Sequence, residues 1–140
     1  MSVRILIADD DASIRRLLHR LVESHAEWNV CAEACDGQEA IGKAAELTPD
    51  IVVLDLAMPL CNGLQAGREI VRHSPSTPML LLTVQQVSNE LAKEAIHAGF
   101  KGAVSKNTGS EGVRAIEMLL NQQRFFEPAE NEAYLAPRLT

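Results

Sequence analysis

With 140 residues, 46% of them apolar and 23% charged, the chain has the composition of one globular domain, large enough to bury a core without disulfide support. Its formal charge of −6 argues against a nucleic-acid surface, which needs a concentrated basic face, and no apolar run approaches the ~20 residues of a membrane span. The opening MSVRILIADDD breaks its short apolar stretch with three aspartates and so lacks the form of a secretory signal, which makes a cytoplasmic location the expectation.

Val3 to Ala8, compact, apolar and β-branched, predicts a buried strand that ends in acid. A helix follows from Ser13, with Ile14, Leu17, Leu18, Leu21 and Val22 spaced as an inward stripe and Arg15, Arg16, His19 and Arg20 opposite. Trp28 to Ala34 predicts a second strand, closed by the turn signal Asp36-Gly37, and Gln38 to Leu47 a second helix that stops before Pro49. Asp50 to Asp55 is an uninterrupted apolar run between two aspartates, the mark of a strand covered on both faces. Asn62 suits the cap of a third helix to Ser74, with Leu64, Ile70 and Val71 inward. Met79 to Val84 predicts the fourth strand, Ser88 to Ala98 a helix closed by Gly99, and Gly102 to Lys106 a short fifth strand. Ser110 to Gln123 predicts a last helix with Val113, Ile116, Leu119 and Leu120 inward.

Five strands alternating with five helices predict an α/β domain with a doubly wound parallel sheet, because right-handed crossovers place helices on both faces. The domain is expected over residues 1–126, and the composition change after Phe126 marks 127–140 as a tail or linker. Cys31, Cys35 and Cys61 fit neither a disulfide framework nor a paired zinc site. The first two, four apart on one face of a strand, read as buried small hydrophobes; Cys61 reads as a reduced thiol, with a redox role as the alternative. His19, His25, His73 and His97 show no metal-ligand spacing and read as solvated.

In a doubly wound sheet ligands bind beyond the carboxyl ends of the strands, where strand order reverses. The polar residues at those ends are Asp9, Asp10, Asp55, Thr83 and Lys106. Clustered carboxylates repel one another unless a cation sits among them, and hard oxygen ligands of this kind suit Mg²⁺. An ionised aspartate is already a nucleophile toward phosphorus, and Lys106 with the metal would offset charge on a transferring phosphoryl group. Each residue alone has a plainer reading: Asp9 to Asp11 as a helix entry, Asp55 as a turn residue, Thr83 as a β-former, Lys106 as a solvated strand end. The joint placement of complementary groups favours the chemical reading.

IADDDASIRR, DIVVLDLAMPLCNG, LLT and GAVSK, in this order and spacing, resemble the receiver domains of bacterial two-component response regulators over residues 3–124. The resemblance implies a flavodoxin-like three-layer sandwich with a five-stranded parallel sheet in the order 2-1-3-4-5. It implies Asp55 as phosphoacceptor, Asp9 and Asp10 as the acidic pair, Thr83 as the switch hydroxyl and Lys106 as the phosphate-binding lysine. It further implies Mg²⁺ held by Asp10, Asp55 and the Ala57 backbone carbonyl, with Asp9 largely through water. A sensor histidine kinase or phosphotransfer protein is the implied partner, with homodimerisation on phosphorylation, no membrane and no direct nucleic-acid contact. The chain departs from the common pattern at Ala103, where receivers often carry tyrosine or phenylalanine, at Val84, where a small residue is common, and at Asn107, where many have proline. The acceptor is thus expected intact and the output atypical, leaving through the loop after the fourth strand toward the face of the fourth helix, fifth strand and fifth helix. RFFEP followed by YLAPRLT resembles the segment that leads receivers of the NarL/FixJ type into a LuxR-type DNA-binding domain, with a single-domain regulator as the alternative.

Three other readings of the same residues meet obstacles or a direct test. A flavodoxin-like nucleotide-binding module needs amide-rich glycines after the first strand, where three aspartates would repel phosphate. A haloacid-dehalogenase-type phosphatase needs a second carboxylate as general acid and base, and Ala57 stands at that position. A receiver serving only as a phosphorylation-independent dimerisation module separates from the favoured reading by phosphodonor labelling. The expectation is therefore a phosphoacceptor switch and not an enzyme acting on outside substrates.

Overall fold

Strands Val3–Ala8 (β1), Trp28–Ala34 (β2), Ile51–Asp55 (β3), Met79–Thr83 (β4) and Gly102–Ser105 (β5) alternate with helices Ala12–Glu23 (α1), Gly37–Leu47 (α2), Gly63–His73 (α3), Asn89–His97 (α4) and Gly109–Leu120 (α5). This is the arrangement in a computed structural model that describes residues 2–106 and 109–127. The strands pair in parallel in the order β2-β1-β3-β4-β5, so strand order reverses between β1 and β3. That reversal opens a crevice at the carboxyl ends of β1 and β3, where Asp9 and Asp55 stand.

The sheet is covered on both faces, which is why β3 and β4 are apolar without alternation and buried throughout. Leu6, Val52, Leu54 and Leu81 face Ala40, Ala66, Ile70 and Ala92 of α2, α3 and α4. Ile5, Val53, Leu80 and Leu82 face Val22, Ile116 and Leu119 of α1 and α5. Small residues on the first set of helices bring them close to the sheet; Gly67 lets α3 seat against the Phe100 ring, since a Cβ there would lie 2.4 Å from it. Helix starts follow from local side-chain chemistry. Asp11 accepts hydrogen bonds from the Ser13 and Ile14 amides, so α1 begins at Ala12, a residue earlier than expected. Asp36 caps α2, and Asn62 with Gln65 forms a reciprocal capping box at α3.

Some expectations need correction. The last helix ends at Leu120 rather than Gln123, because the chain turns at Gln122, whose φ is 64°, and returns to the sheet. Phe125–Phe126 forms a sixth strand (β6), parallel to β5 and at the sheet edge. Leu17, placed in the inward stripe, is 44% exposed, because the buried stripe of α1 runs through Leu18 and Val22. Cys35 lies beyond the end of β2 and is exposed, while Cys31, on this edge strand, is half-buried and Cys61 is buried. Two histidines are not simply solvated: His19 bridges Glu23 and Glu33, and His25 stacks on Trp28 at 3.7 Å. Asn107 and residues 128–140 lie outside the described residues.

Candidate functional site

The ends of β1, β3, β4 and β5 bring the five expected residues to one edge of the sheet. Asp9 is fully buried; its Oδ1 accepts the Asp11 amide at 2.9 Å, which turns the chain into α1. Asp55, 3% exposed, closes β3, and its surroundings depend on Gly63: a Cβ there would meet the Asp55 carbonyl oxygen at 2.4 Å. The Lys106 ammonium lies 2.6 Å from Asp9 Oδ2 and 2.9 Å from Asp55 Oδ1, and the Lys106 amide donates to the Thr83 carbonyl at 2.8 Å. Thr83 is buried, and its hydroxyl oxygen accepts the Gln85 amide at 3.2 Å, tying the end of β4 to the following loop. Above these groups opens a cavity of about 380 Å³ lined by Asp10, Asp55, Ala57, Thr83, Val84 and Lys106.

Burial pushes the Asp55 carboxyl above the ordinary carboxylate range; Lys106 opposes the shift, and the charges of Asp9 and Asp10 add to it. For Lys106, burial acts to lower the pKa, but its contacts with Asp9 and Asp55 outweigh that and hold the ammonium more firmly protonated. Oxygens of Asp9, Asp10 and Asp55 lie within 4.8 Å of one another. Three carboxylates thus face one ammonium. Among the described residues, Asp9 Oδ2, buried beside that ammonium, has its ion pair but no partner in hydrogen-bonding geometry. A surplus of negative charge, hard oxygen donors and an incompletely satisfied buried carboxylate fit a small divalent cation with room for waters.

The family model for the response regulator receiver domain matches residues 5–117. The chain belongs to this family. Its fold matches, over the whole of both chains, a two-component response regulator of the LuxR family from Aurantimonas, at a TM-score of 0.89 and 34% identity. That likeness places this receiver with the LuxR/NarL type. The transcriptional regulatory protein LnrK of Bacillus subtilis is 34% identical over 133 residues, which cover 95% of this chain and 60% of LnrK. A protein-glutamate methylesterase/protein-glutamine glutaminase of Carboxydothermus hydrogenoformans is 34% identical over 116 residues, 83% of this chain and 33% of that protein. The receiver therefore spans only part of these relatives.

Two contributors to the receiver's site escaped the sequence reading. Arg15, placed on the outer face of α1, instead bends back: its Nη1 donates to the Asp9 carbonyl at 2.6 Å and its Nε to Glu33 at 3.1 Å, pinning the acidic turn to β2. Glu127 accepts the Ser105 amide at 2.8 Å, one residue before Lys106. Glu33 lies 18 residues from Arg15 and Ser105 lies 22 from Glu127, so no periodicity signals these contacts. Ala103, the departure from the aromatic pattern, is fully buried, and its partner across the sheet is Phe126. Val84 is 65% exposed and lines the mouth of the cavity.

Proposed function

We propose that this receiver is the phosphoacceptor switch of a two-component system, with Asp55 phosphorylated by a sensor histidine kinase or a phosphotransfer protein. The observation that supports it most is the convergence of Lys106 on Asp55 and Asp9 at the crevice, under an open cavity. In the transfer, an Asp55 carboxylate oxygen bonds to phosphorus as the P–N bond to the donor imidazole breaks, and the imidazole takes a proton from solvent. The buried carboxylate needs no base for this. Lys106 sits where it neutralises a phosphoryl oxygen, and the Thr83 hydroxyl, which lines the same cavity, can donate to another while its oxygen accepts the Gln85 amide.

Mg²⁺ is the proposed cofactor, with Asp9, Asp10, Asp55 and the Ala57 carbonyl as the groups that would hold it; when bound it supplies positive charge to the transferring phosphoryl oxygens. Residues 1–126 are proposed as the receiver and 127–140 as the segment leading out of it. Its role is to regulate transcription from the cytoplasm through a DNA-binding segment other than these residues, with homodimerisation on phosphorylation. Its part is that of phosphoacceptor and not of a phosphatase for outside phosphoesters, since Ala57 supplies no second carboxylate for proton transfer. Phosphoramidate, a small P–N donor, tests the assignment. Peptide mass mapping is expected to place the phosphoryl group on the peptide containing Asp55, and a stoichiometric label on another residue overturns it.

A further inference from the structure

We infer that the two-residue strand β6, with Glu127, is the receiver's output element, docked on β5 in the unphosphorylated state and loosened when the site is filled. The inference rests on the phosphoacceptor reading of Asp55, and its basis is the way the chain leaves the domain. After α5 the backbone returns to the sheet and adds Phe125–Phe126 to the edge of β5. The Phe125 amide donates to the Lys101 carbonyl at 3.0 Å, and the Glu127 amide to the Ala103 carbonyl at 3.1 Å.

Two side-chain contacts make this docking conditional on β5. Phe126, 7% exposed, is in register with Ala103 and belongs to the same apolar cluster as Ala92 and Ala95 of α4, so its ring is held over a methyl-sized residue. A larger side chain at 103 would compete for that space. Glu127 reaches back along the strand and accepts the Ser105 amide at 2.8 Å. The next residue is Lys106, whose ammonium spans Asp9 and Asp55 and whose amide is bonded to Thr83. From the reactive carboxylate to the departing chain there are thus two linked steps: Asp55 to Lys106 through an ion pair, and Ser105 to Glu127 through a hydrogen bond.

A phosphoryl group on Asp55 adds charge of about −1.5 to −2 and strong acceptors between Lys106 and Thr83. Drawing Lys106 toward those oxygens moves the end of β5, and the Ser105 amide moves with it. Glu127 then loses its partner, and β6 is left with its two backbone hydrogen bonds to β5 and the Phe126 ring, all of them set by the position of the strand that has moved. Residues from 128 onward follow directly, so release of β6 alters how the next segment is tethered. In this receiver the linker strand itself reads the site, and Phe126 takes the place beside β5 that Ala103 leaves open.

Amide exchange followed by NMR, with and without Mg²⁺ and beryllofluoride as the phosphoryl mimic, tests this. Exchange at Ser105 and Glu127 is expected to speed up about fivefold or more on adding the mimic, the lower end of ordinary coupling between sites. Unchanged or slower exchange at both residues, in a sample whose Asp55 region shows the mimic bound, overturns the inference while leaving the phosphoacceptor reading intact. Failure of the mimic to bind counts against that reading instead, and with it the inference. Coupling is reciprocal, so Glu127→Ala, which frees β6 beforehand, is expected to raise the receiver's affinity for the mimic by the same factor, and Glu127→Gln, which keeps an acceptor oxygen, to restore most of the wild-type value. Phe126→Leu gives a second route to a loosened strand without emptying the core. Equal affinities across wild type, Glu127→Ala and Phe126→Leu contradict the inference.

Discussion

Lys106 Nζ stands 2.9 Å from Asp55 Oδ1, and this single ammonium serves two buried carboxylates, since Asp9 Oδ2 is 2.6 Å away on its other side. The pair does not remove the electrostatic cost of the site. Asp55 remains harder to ionise than an ordinary aspartate, chiefly because it is buried. Its folded-state pKa is raised, so its ionised form opposes folding; the penalty is absent below the unfolded value of 3.8 and grows as pH rises through the folded value. Asp55→Asn is therefore expected to melt a few degrees higher than wild type at pH 7 and to lose that advantage near pH 3. Mg²⁺ should raise the wild-type midpoint and leave that of Asp55→Asn much less changed. Thermal unfolding at the two pH values, with and without Mg²⁺, checks both; a lower midpoint for the variant at pH 7 contradicts this balance of charges.

His19 supplies the opposite pH dependence. Its hydrogen bond to Glu33 raises its pKa, against a smaller opposing effect of burial, and Glu23 adds to the rise. A raised histidine stabilises the fold fully below its unfolded value of 6.5 and loses that contribution as pH climbs through the folded value. The stability gap between wild type and His19→Gln is expected to be widest below pH 6.5 and to close above the folded value. Urea unfolding across this range gives the curve, and a gap independent of pH would falsify the assignment. The side chain is 37% exposed, so the gap is modest and shrinks with salt.

Gly63 tests how closely α3 must approach the reactive strand. A methyl group there would meet the Asp55 carbonyl oxygen at 2.4 Å, and the Gly63 amide donates to the Leu56 carbonyl at 2.9 Å. Gly63→Ala has to shift the loop that carries Ala57. The expected cost is about 1–3 kcal/mol of stability by urea titration, the usual range for overpacking. Slower phosphoryl labelling should accompany it, and wild-type stability together with wild-type labelling would show that the loop yields freely.

Much of the receiver was legible because its strands are covered on both faces: IVVLD and MLLLT are short apolar runs that suit a buried parallel strand, and the polar residue ending each run falls at the carboxyl edge of the sheet. Asp9, Asp55, Thr83 and Lys106 were found in that way. Features made by distant partners stayed hidden. Arg15 looks like an outer-face helix residue until the fold brings Glu33 and the Asp9 carbonyl to it. A strand as short as Phe125–Phe126 carries no periodicity, so its sequence does not distinguish it from a linker. Leu17 shows the opposite failure: an apolar stripe wider than the surface that α1 covers leaves one leucine in solvent.

Thr83 separates accepting the phosphoryl group from answering it. The hydroxyl oxygen holds the Gln85 amide, so its movement is felt first in the loop running to Ser88, the cap of α4. Thr83→Ala is expected to keep labelling at Asp55 within a few-fold of wild type while removing the phosphorylation-dependent change in amide exchange over residues 84–98. Its stability should fall by about 1 kcal/mol for the lost hydrogen bond. A variant that labels normally and still shows the full exchange change would mean that the loop responds by a route independent of the hydroxyl.

The most direct measurement is intact-mass spectrometry after incubation with acetyl phosphate, for wild type and Asp55→Asn, with Mg²⁺ and with a chelator in its place. Wild type with Mg²⁺ is expected to gain one phosphoryl group that mild base removes, as it does an acyl phosphate, and the other three samples to stay unlabelled. Full labelling of Asp55→Asn, or equal labelling of wild type in the chelator, contradicts the account of Asp55 as a metal-assisted phosphoacceptor.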